Sequence, residues 1–231
     1  METTLSRAQL RWQAAKGLVG LLAVLGLLIF VAAGTLDYWQ GWIYWGLFTL
    51  ATTLVTVYFL TADPKLVERR LRAGPAGEKE MRQKIVQAVA SVFFLSTIVV
   101  PALDRRFGWS YVPSAISVAA AALFVFGFVV MFLVFRENSY AASTIEVAEG
   151  QGVITTGPYR VVRHPMYAGG LVSFLATPIA LGSWWGIIPA LGLIFAIVAR
   201  LRDEERFLVE NLPGYDAYRA GTPARLIPWL W

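Results

Sequence analysis

Charge is missing from most of this chain, and it is missing in blocks. Residues 17–62 carry one charged side chain, Asp37, and residues 85–103, 107–135 and 164–199 carry no Asp, Glu, Lys or Arg. A helical crossing of a bilayer needs about 20 consecutive apolar residues. The four blocks therefore predict about six spans, at 17–36, 39–61, 85–103, 112–135, 165–182 and 184–200. With 231 residues, 57% of them hydrophobic, and a mean hydropathy of +0.59, an ordinary soluble domain is excluded and one membrane domain is expected. The fold class that follows is an all-α integral membrane helical bundle closed by a C-terminal helical hairpin.

The first apolar segment follows Arg7, Arg11 and Lys16 but is too long for a signal peptide and lacks a small-x-small cleavage site, so it is expected to remain as an anchor. Cysteine is absent, which removes disulfides and thiolate metal sites. One histidine, His164, is too few for the many imidazole ligands of a di-iron membrane oxygenase, and no metal site is expected. The net charge of +5 is unevenly placed. Lys65, Arg69, Arg70, Arg72, Lys79, Arg82 and Lys84 crowd one loop, among Glu68, Glu78 and Glu80. In a membrane chain this reads as the positive-inside bias and as contact with anionic lipid headgroups, not as a nucleic-acid surface. The bias puts both termini, the turn at His164 and the cluster at Glu205 on the cytoplasmic face, the inner membrane in a bacterium. Tyr38, Trp39, Trp42, Tyr44 and Trp45 are expected to form an interfacial belt at the far side, with Trp184 and Trp185 beside them and Trp229 and Trp231 anchoring the tail at the near side.

The chain divides near Arg136. Residues 1–135 read as a four-helix scaffold, and residues 136–231 as the part that holds a site, within a single membrane domain spanning 1–231. The back part contains Gly157-Pro158-Tyr159-Arg160-Val161-Val162-Arg163-His164-Pro165-Met166-Tyr167-Ala168-Gly169-Gly170. Pro165 disfavours helical dihedrals at His164 and suits the first helical position, so a helix is expected to begin there with His164 as its cap. The unpartnered N–H groups of Met166 and Tyr167 then point at an anion. Gly169-Gly170 admits either another backbone or a cofactor. About forty residues later comes Arg200-Leu201-Arg202-Asp203-Glu204-Glu205-Arg206, on a helix that Leu212-Pro213-Gly214 stops. A helical hairpin between the two clusters brings them to the same membrane face. There a carboxylate such as Glu205 can accept hydrogen bonds from vicinal hydroxyls, and Arg200 or Arg202 can hold a substrate carboxylate.

These motifs resemble the isoprenylcysteine carboxyl methyltransferases and their prokaryotic relatives, a group related to phospholipid methyltransferases. The residues that carry the likeness are Gly157-Pro158-Tyr159, Arg163-His164-Pro165-Met166-Tyr167-Ala168-Gly169, Glu204-Glu205, Pro213-Gly214-Tyr215-Asp216-Ala217-Tyr218 and Arg225-Leu226-Ile227-Pro228, all between Glu137 and Trp231. The resemblance implies a membrane methyltransferase using S-adenosyl-L-methionine in a cytoplasmic cofactor pocket, with no Rossmann sheet. It implies that Gln151, Gly152, Val153, Ile154, Tyr159, His164, Pro165, Met166, Tyr167 and Glu205 surround the cofactor. Arg200 and Arg202 compete for the substrate-facing arginine, so the catalytic set is Arg202, Arg200 and Glu205. The acceptor expected is lipidic or prenylated, a carboxylate first and a phospholipid amine second. Membrane lipids are the other partners, nucleic acid is not one, and a monomer is compatible with everything above.

Two other classes remain open from the residues. Membrane sterol reductases carry a similar Arg-His-Pro-x-Tyr turn over NADPH. A transporter or scaffold needs no cofactor, but polar residues near mid-span are sparse here: Thr52, Thr53, Thr56, Ser96 and Thr97, all suited to helix packing.

Overall fold

A computed structural model describes residues 5–71, 80–141, 145, 147–148, 150–228 and 231. In chain order the helices are α1 (Arg7–Ala33), α2 (Trp39–Ala62), α3 (Pro64–Arg70), α4 (Met81–Phe107), α5 (Ser114–Glu137), α6 (Pro165–Ala180), α7 (Ile187–Asn211) and α8 (Tyr215–Gly221), with a 3-10 turn at Gly157–Arg160 before α6. Among the described residues there is no strand.

Local signals fix most of the boundaries. Ser6 and Gln9 form a reciprocal capping box at the start of α1, and Gly34 ends that helix with a left-handed φ of 66°. Asp63 ends α2 and its carboxylate accepts from Leu66 N, so one residue stops a helix and starts the next across a sharp corner. Pro165 opens α6, and Pro213-Gly214 separates α7 from α8. The mid-span hydroxyls turn back onto their own helices, Thr52 to Phe48 O, Ser96 to Val92 O and Thr97 to Phe94 O, which satisfies them within the bundle.

Four helices, α1, α2, α4 and α5, are long and apolar enough to cross a membrane. The expected count of about six spans is not confirmed. α6 has 16 residues and carries Pro178 inside it, so at 1.5 Å per residue it reaches only about 24 Å. α7 is 25 residues long, but its second half holds the charged cluster, so its apolar part is short.

The bundle is organised around four neighbour pairs: α5 lies along α6, α4 along α7, and α1 against both α2 and α4. The α5–α6 contact is glycine-mediated. A Cβ at Gly127 would sit 2.5 Å from Gly169 O, and one at Gly169 would sit 2.9 Å from Gly127 O. The question left open at Gly169-Gly170 is thus answered at Gly169 by the backbone of α5. Tyr38 and Tyr44 also differ from the expected belt. Both are buried, Tyr38 donating to Leu181 O and Tyr44 bonded to Thr177 Oγ1, while Trp39 and Trp42 stay exposed. A tyrosine facing a neighbouring helix can bury its ring once its hydroxyl finds an acceptor. At this far end the buried Asp104 accepts from Ser110 N, Ser110 Oγ and Ser183 Oγ, tying the α4–α5 link to the turn between α6 and α7.

Gly127→Ala is expected to cost about 1–3 kcal/mol, because the added methyl meets Ser173 Oγ and two backbone atoms, Gly169 O and Ser173 N. The thermal unfolding midpoint of detergent-purified protein should fall by roughly 2–12 °C. Gly46→Ala is the control: its Cβ meets nothing within 4 Å, so the midpoint should hold or rise.

Candidate functional site

The end of the bundle where α6 begins is built on a buried carboxylate. Glu205, on α7, is 5% exposed and takes Arg163 Nε on Oε1 at 2.7 Å and Arg225 Nε on Oε2 at 2.8 Å. Arg163 Nη1 donates further to Thr222 O and Pro223 O, both at 2.7 Å. The backbone completes the seam, with Arg163 N to Ala224 O at 2.9 Å and His164 N to Arg225 O at 3.0 Å. Residues 222–225 of the tail are therefore zipped against the turn that opens α6. Tyr218 adds a hydrogen bond to Tyr159 O at 2.7 Å.

His164 is the N-cap of α6 and makes no side-chain capping bond. It is 5% exposed; its Nε2 stands 3.4 Å from Glu205 Oε1 but has no hydrogen-bond partner among the described residues. Burial alone would raise the Glu205 carboxyl's pKa. His164 beside it and the hydrogen bonds from Arg163 and Arg225 outweigh burial and hold it well below the ordinary carboxylate range.

In front of this seam lies a cavity of about 100 Å³. Gln151, Gly152, Val153, Ile154, Tyr159, His164, Pro165, Met166 and Tyr167 all line it, so the structure gathers these sequence candidates around one space. Glu205 does not line it; Glu204 does. The expectation for Glu205 is corrected by the helical repeat of α7. Adjacent residues point about 100° apart, and burial between two arginines claims Glu205 for the seam. Glu204 instead accepts Tyr167 OH on Oε2 at 2.6 Å. Arg200, four residues earlier on the same face, donates from Nε to Tyr167 OH at 3.1 Å and from Nη1 to Gln83 Oε1 at 3.3 Å. Arg202 lies on the exposed side of α7, away from this network. Gln83 in turn donates to Asp203 Oδ2 at 2.6 Å, so α4 braces α7 at the cavity's edge.

Sequence reasoning passed over Asn138, Tyr140, Leu208 and Leu212 as lining residues, while Arg163, Tyr215 and Tyr218, from the turn and tail it did single out, also line the cavity. Asn138 Nδ2 donates to Tyr159 OH at 2.8 Å, and burial pushes the Tyr159 phenol up to about 12, so it stays protonated. Tyr215 is buried with its hydroxyl unpartnered among the described residues. The first turn of α6, the Glu204 carboxylate and these two orphaned polar atoms, His164 Nε2 and Tyr215 OH, fit a ligand that carries hydroxyls, ring nitrogens and a carboxylate. Trp229 of the expected tail anchor lies outside the described residues, as do Arg72, Glu78 and Lys79 of the basic loop.

Glu205→Gln should cost about 3–5 kcal/mol, since it leaves two arginines facing a buried neutral amide. Glu204→Gln, at a carboxylate 25% exposed, should cost far less. Because the Glu205 pKa is depressed on folding, its contribution is complete above the ordinary value of 4.5 and fades as pH falls below it. Thermal unfolding followed downward from neutral pH should show that loss in the unsubstituted protein and not in Glu205→Gln.

The sequence profile described as phospholipid methyltransferase matches residues 115–213. That match takes in α5, the 3-10 turn, α6 and α7, and stops short of the tail motif at Tyr215. The nickel-cobalt-cadmium resistance protein NccN of Alcaligenes xylosoxydans xylosoxydans is 30% identical over 107 residues, 46% of this chain and 50% of that protein. The cobalt-zinc-cadmium resistance protein CzcN of Cupriavidus metallidurans is 32% identical over 87 residues, 37% of this chain and 40% of that protein. The chain thus spans half or less of the length of the curated relatives it matches. Their names concern metal ions; among the described residues no group of three or more His, Cys, Asp or Glu side chains is placed to hold one. Over residues 115–213, the stretch that supplies most of the cavity's walls, this all-helical chain carries the sequence pattern of the phospholipid methyltransferase family.

Proposed function

We propose that the protein is an S-adenosyl-L-methionine-dependent membrane methyltransferase acting on a lipidic or lipid-linked acceptor. The observation that carries this reading is one of position. The segment matching a methyltransferase family builds a polar cavity at the start of α6, and that cavity abuts an apolar groove of about 400 Å³ lined by residues of α1, α2, α3, α4, α5 and α6. A cofactor with a charged tail and a sugar suits the first space; a hydrocarbon chain suits the second.

On this reading Glu204 accepts hydrogen bonds from the cofactor's ribose hydroxyls, releasing Tyr167 from its present bond. The N–H groups of the first turn of α6 and His164 face its carboxylate. When bound, the cofactor supplies a methyl group on a sulfonium, which leaves by in-line displacement. The chain's own residues have no covalent step to perform. They hold the nucleophile in line, exclude water and fix its charge. A carboxylate acceptor is already ionised at neutral pH and needs no base. An amine acceptor must first lose a proton, and Glu204 is the carboxylate nearest to that task. Oxygen methylation is the simpler chemistry for this inventory, and nitrogen methylation is the second reading. The basic side chains between α2 and α4 argue for the cytoplasmic side as the face from which the cofactor arrives.

Calorimetric titration of detergent-purified protein with S-adenosylhomocysteine should give micromolar binding. Glu204→Gln should weaken it by about 10–100-fold, the worth of hydrogen bonds to a charged group. Binding of NADPH in place of the adenosyl ligand would make the protein a reductase, and binding of neither would overturn the enzymatic reading.

A further inference from the structure

The polar cavity and the apolar groove meet at one side chain. Arg70 ends α3, and among the described residues that line the groove it is the one carrying charge. The rest of the lining is mostly aromatic and aliphatic, including Phe48, Phe124, Phe128 and Phe132, with the exposed Leu21 at its outer lip. The Arg70 guanidinium lies 4.3 Å from the centre of the Phe135 ring. Its Nη1 is 3.4 Å from Ala141 O and 3.9 Å from Sδ of Met166, which itself lines the polar cavity.

What Arg70 does not have is an anion. Arg82, Arg105, Arg163, Arg206, Arg219 and Arg225 each face a carboxylate. Arg70 pairs with none among the described residues, and neither its Nε nor its Nη2 donates to any of them. Burial lowers its pKa to about 10, which leaves it fully charged at neutral pH. A guanidinium in apolar surroundings is costly unless a counter-charge arrives, and its planar fork matches a carboxylate or phosphate bidentately. Arg202 is exposed and Arg200 is engaged with Tyr167 and Gln83, so neither offers the same position beside the groove.

We propose that the groove holds the hydrocarbon chain of an amphiphilic acceptor, and that Arg70 holds its anionic headgroup, a carboxylate or a phosphate, at the Met166 edge of the cavity. Calling the ligand an acceptor rests on the methyltransferase reading; the anion site itself is a binding property of this chain. Arg70 lies outside the segment that matches the family profile, so headgroup choice comes from the front helices and methyl donation from the back ones.

The test is displacement of a neutral polyene-alcohol fluorophore from the full chain in dodecyl maltoside. The competitors are palmitate, hexadecyl phosphate, palmitamide and hexadecyltrimethylammonium, near pH 8. One of the two anions should bind about tenfold or more tightly than palmitamide, and whichever is tighter identifies the headgroup. The ammonium compound should bind most weakly. Arg70→Gln should reduce the preference to about threefold or less while leaving palmitamide affinity unchanged, and Arg70→Lys, which keeps the charge but loses the planar fork, should give a preference between the two. Equal binding of anions and palmitamide in the unsubstituted protein would overturn the proposal, as would a preference that survives Arg70→Gln. Titration with S-adenosylhomocysteine on the same samples separates the two readings. Its failure alone would sink methyl transfer and leave the headgroup site standing.

Discussion

One buried carboxylate decides the shape of the site. Glu205 is held by two arginines that come from different parts of the chain, Arg163 just before α6 and Arg225 in the tail. Removing the Glu205 and Arg163 charges from water is expensive, and mutual attraction, with the half-buried Arg225 added, offsets that cost only when geometry and additional hydrogen bonds are good. Here Arg163 also satisfies Thr222 O and Pro223 O, so the cluster fixes backbone as well as side chains. The turn before α6, the charged end of α7 and the tail are brought to one place by it. The cavity is what remains between them.

Consequences run along α7. With Glu205 committed to the seam, its neighbour Glu204 faces the cavity and meets Tyr167, and Arg200 stands one turn behind. Asp203 points the other way, to Gln83 and Arg82 on α4. The short stretch of one helix from Arg200 to Glu205 thus serves three neighbours, which a 3.6-residue repeat permits and a strand would not. At the opposite end Asp104 performs a comparable joining task with Ser110 and Ser183. Between these polar knots the helices pack through small residues. The Gly127–Gly169 approach brings α5 and α6 backbone to backbone, which places α6, and therefore His164, at a fixed depth.

The two spaces at the site end have opposite chemistry and a shared boundary. Apolar side chains of six helices surround the groove, while residues from the loop, α6, α7 and α8 surround the cavity. Met166 and Arg70 stand where they touch. For a transfer between a water-soluble donor and a membrane-embedded acceptor, this division lets each reactant stay in the solvent it prefers until the reacting atoms meet.

Much of this was legible in the sequence because bilayer physics writes in long blocks. Charge-free stretches located α1, α2, α4 and α5, and the dipeptide His164-Pro165 located the start of α6. The loop from Gln151 to Ile154, singled out by the family resemblance, and the residues from His164 to Tyr167 line one cavity. Three things were decided only by tertiary structure. Which member of the Glu204–Glu205 pair is buried depends on where Arg225 returns, twenty residues on, and no local spacing encodes that return. Whether Tyr38 and Tyr44 face lipid or core depends on Leu181 and Thr177, which become neighbours only when α6 packs beside α2. Arg70 looked like one of seven basic residues in a cytoplasmic loop. Its separation from every described carboxylate, beside an apolar groove, is a property of how α3 turns at Asp63 and docks on α5. Hydrophobic periodicity and proline set what forms helices, because those are local costs; which charge finds a partner is a non-local cost, and only the packed chain shows it.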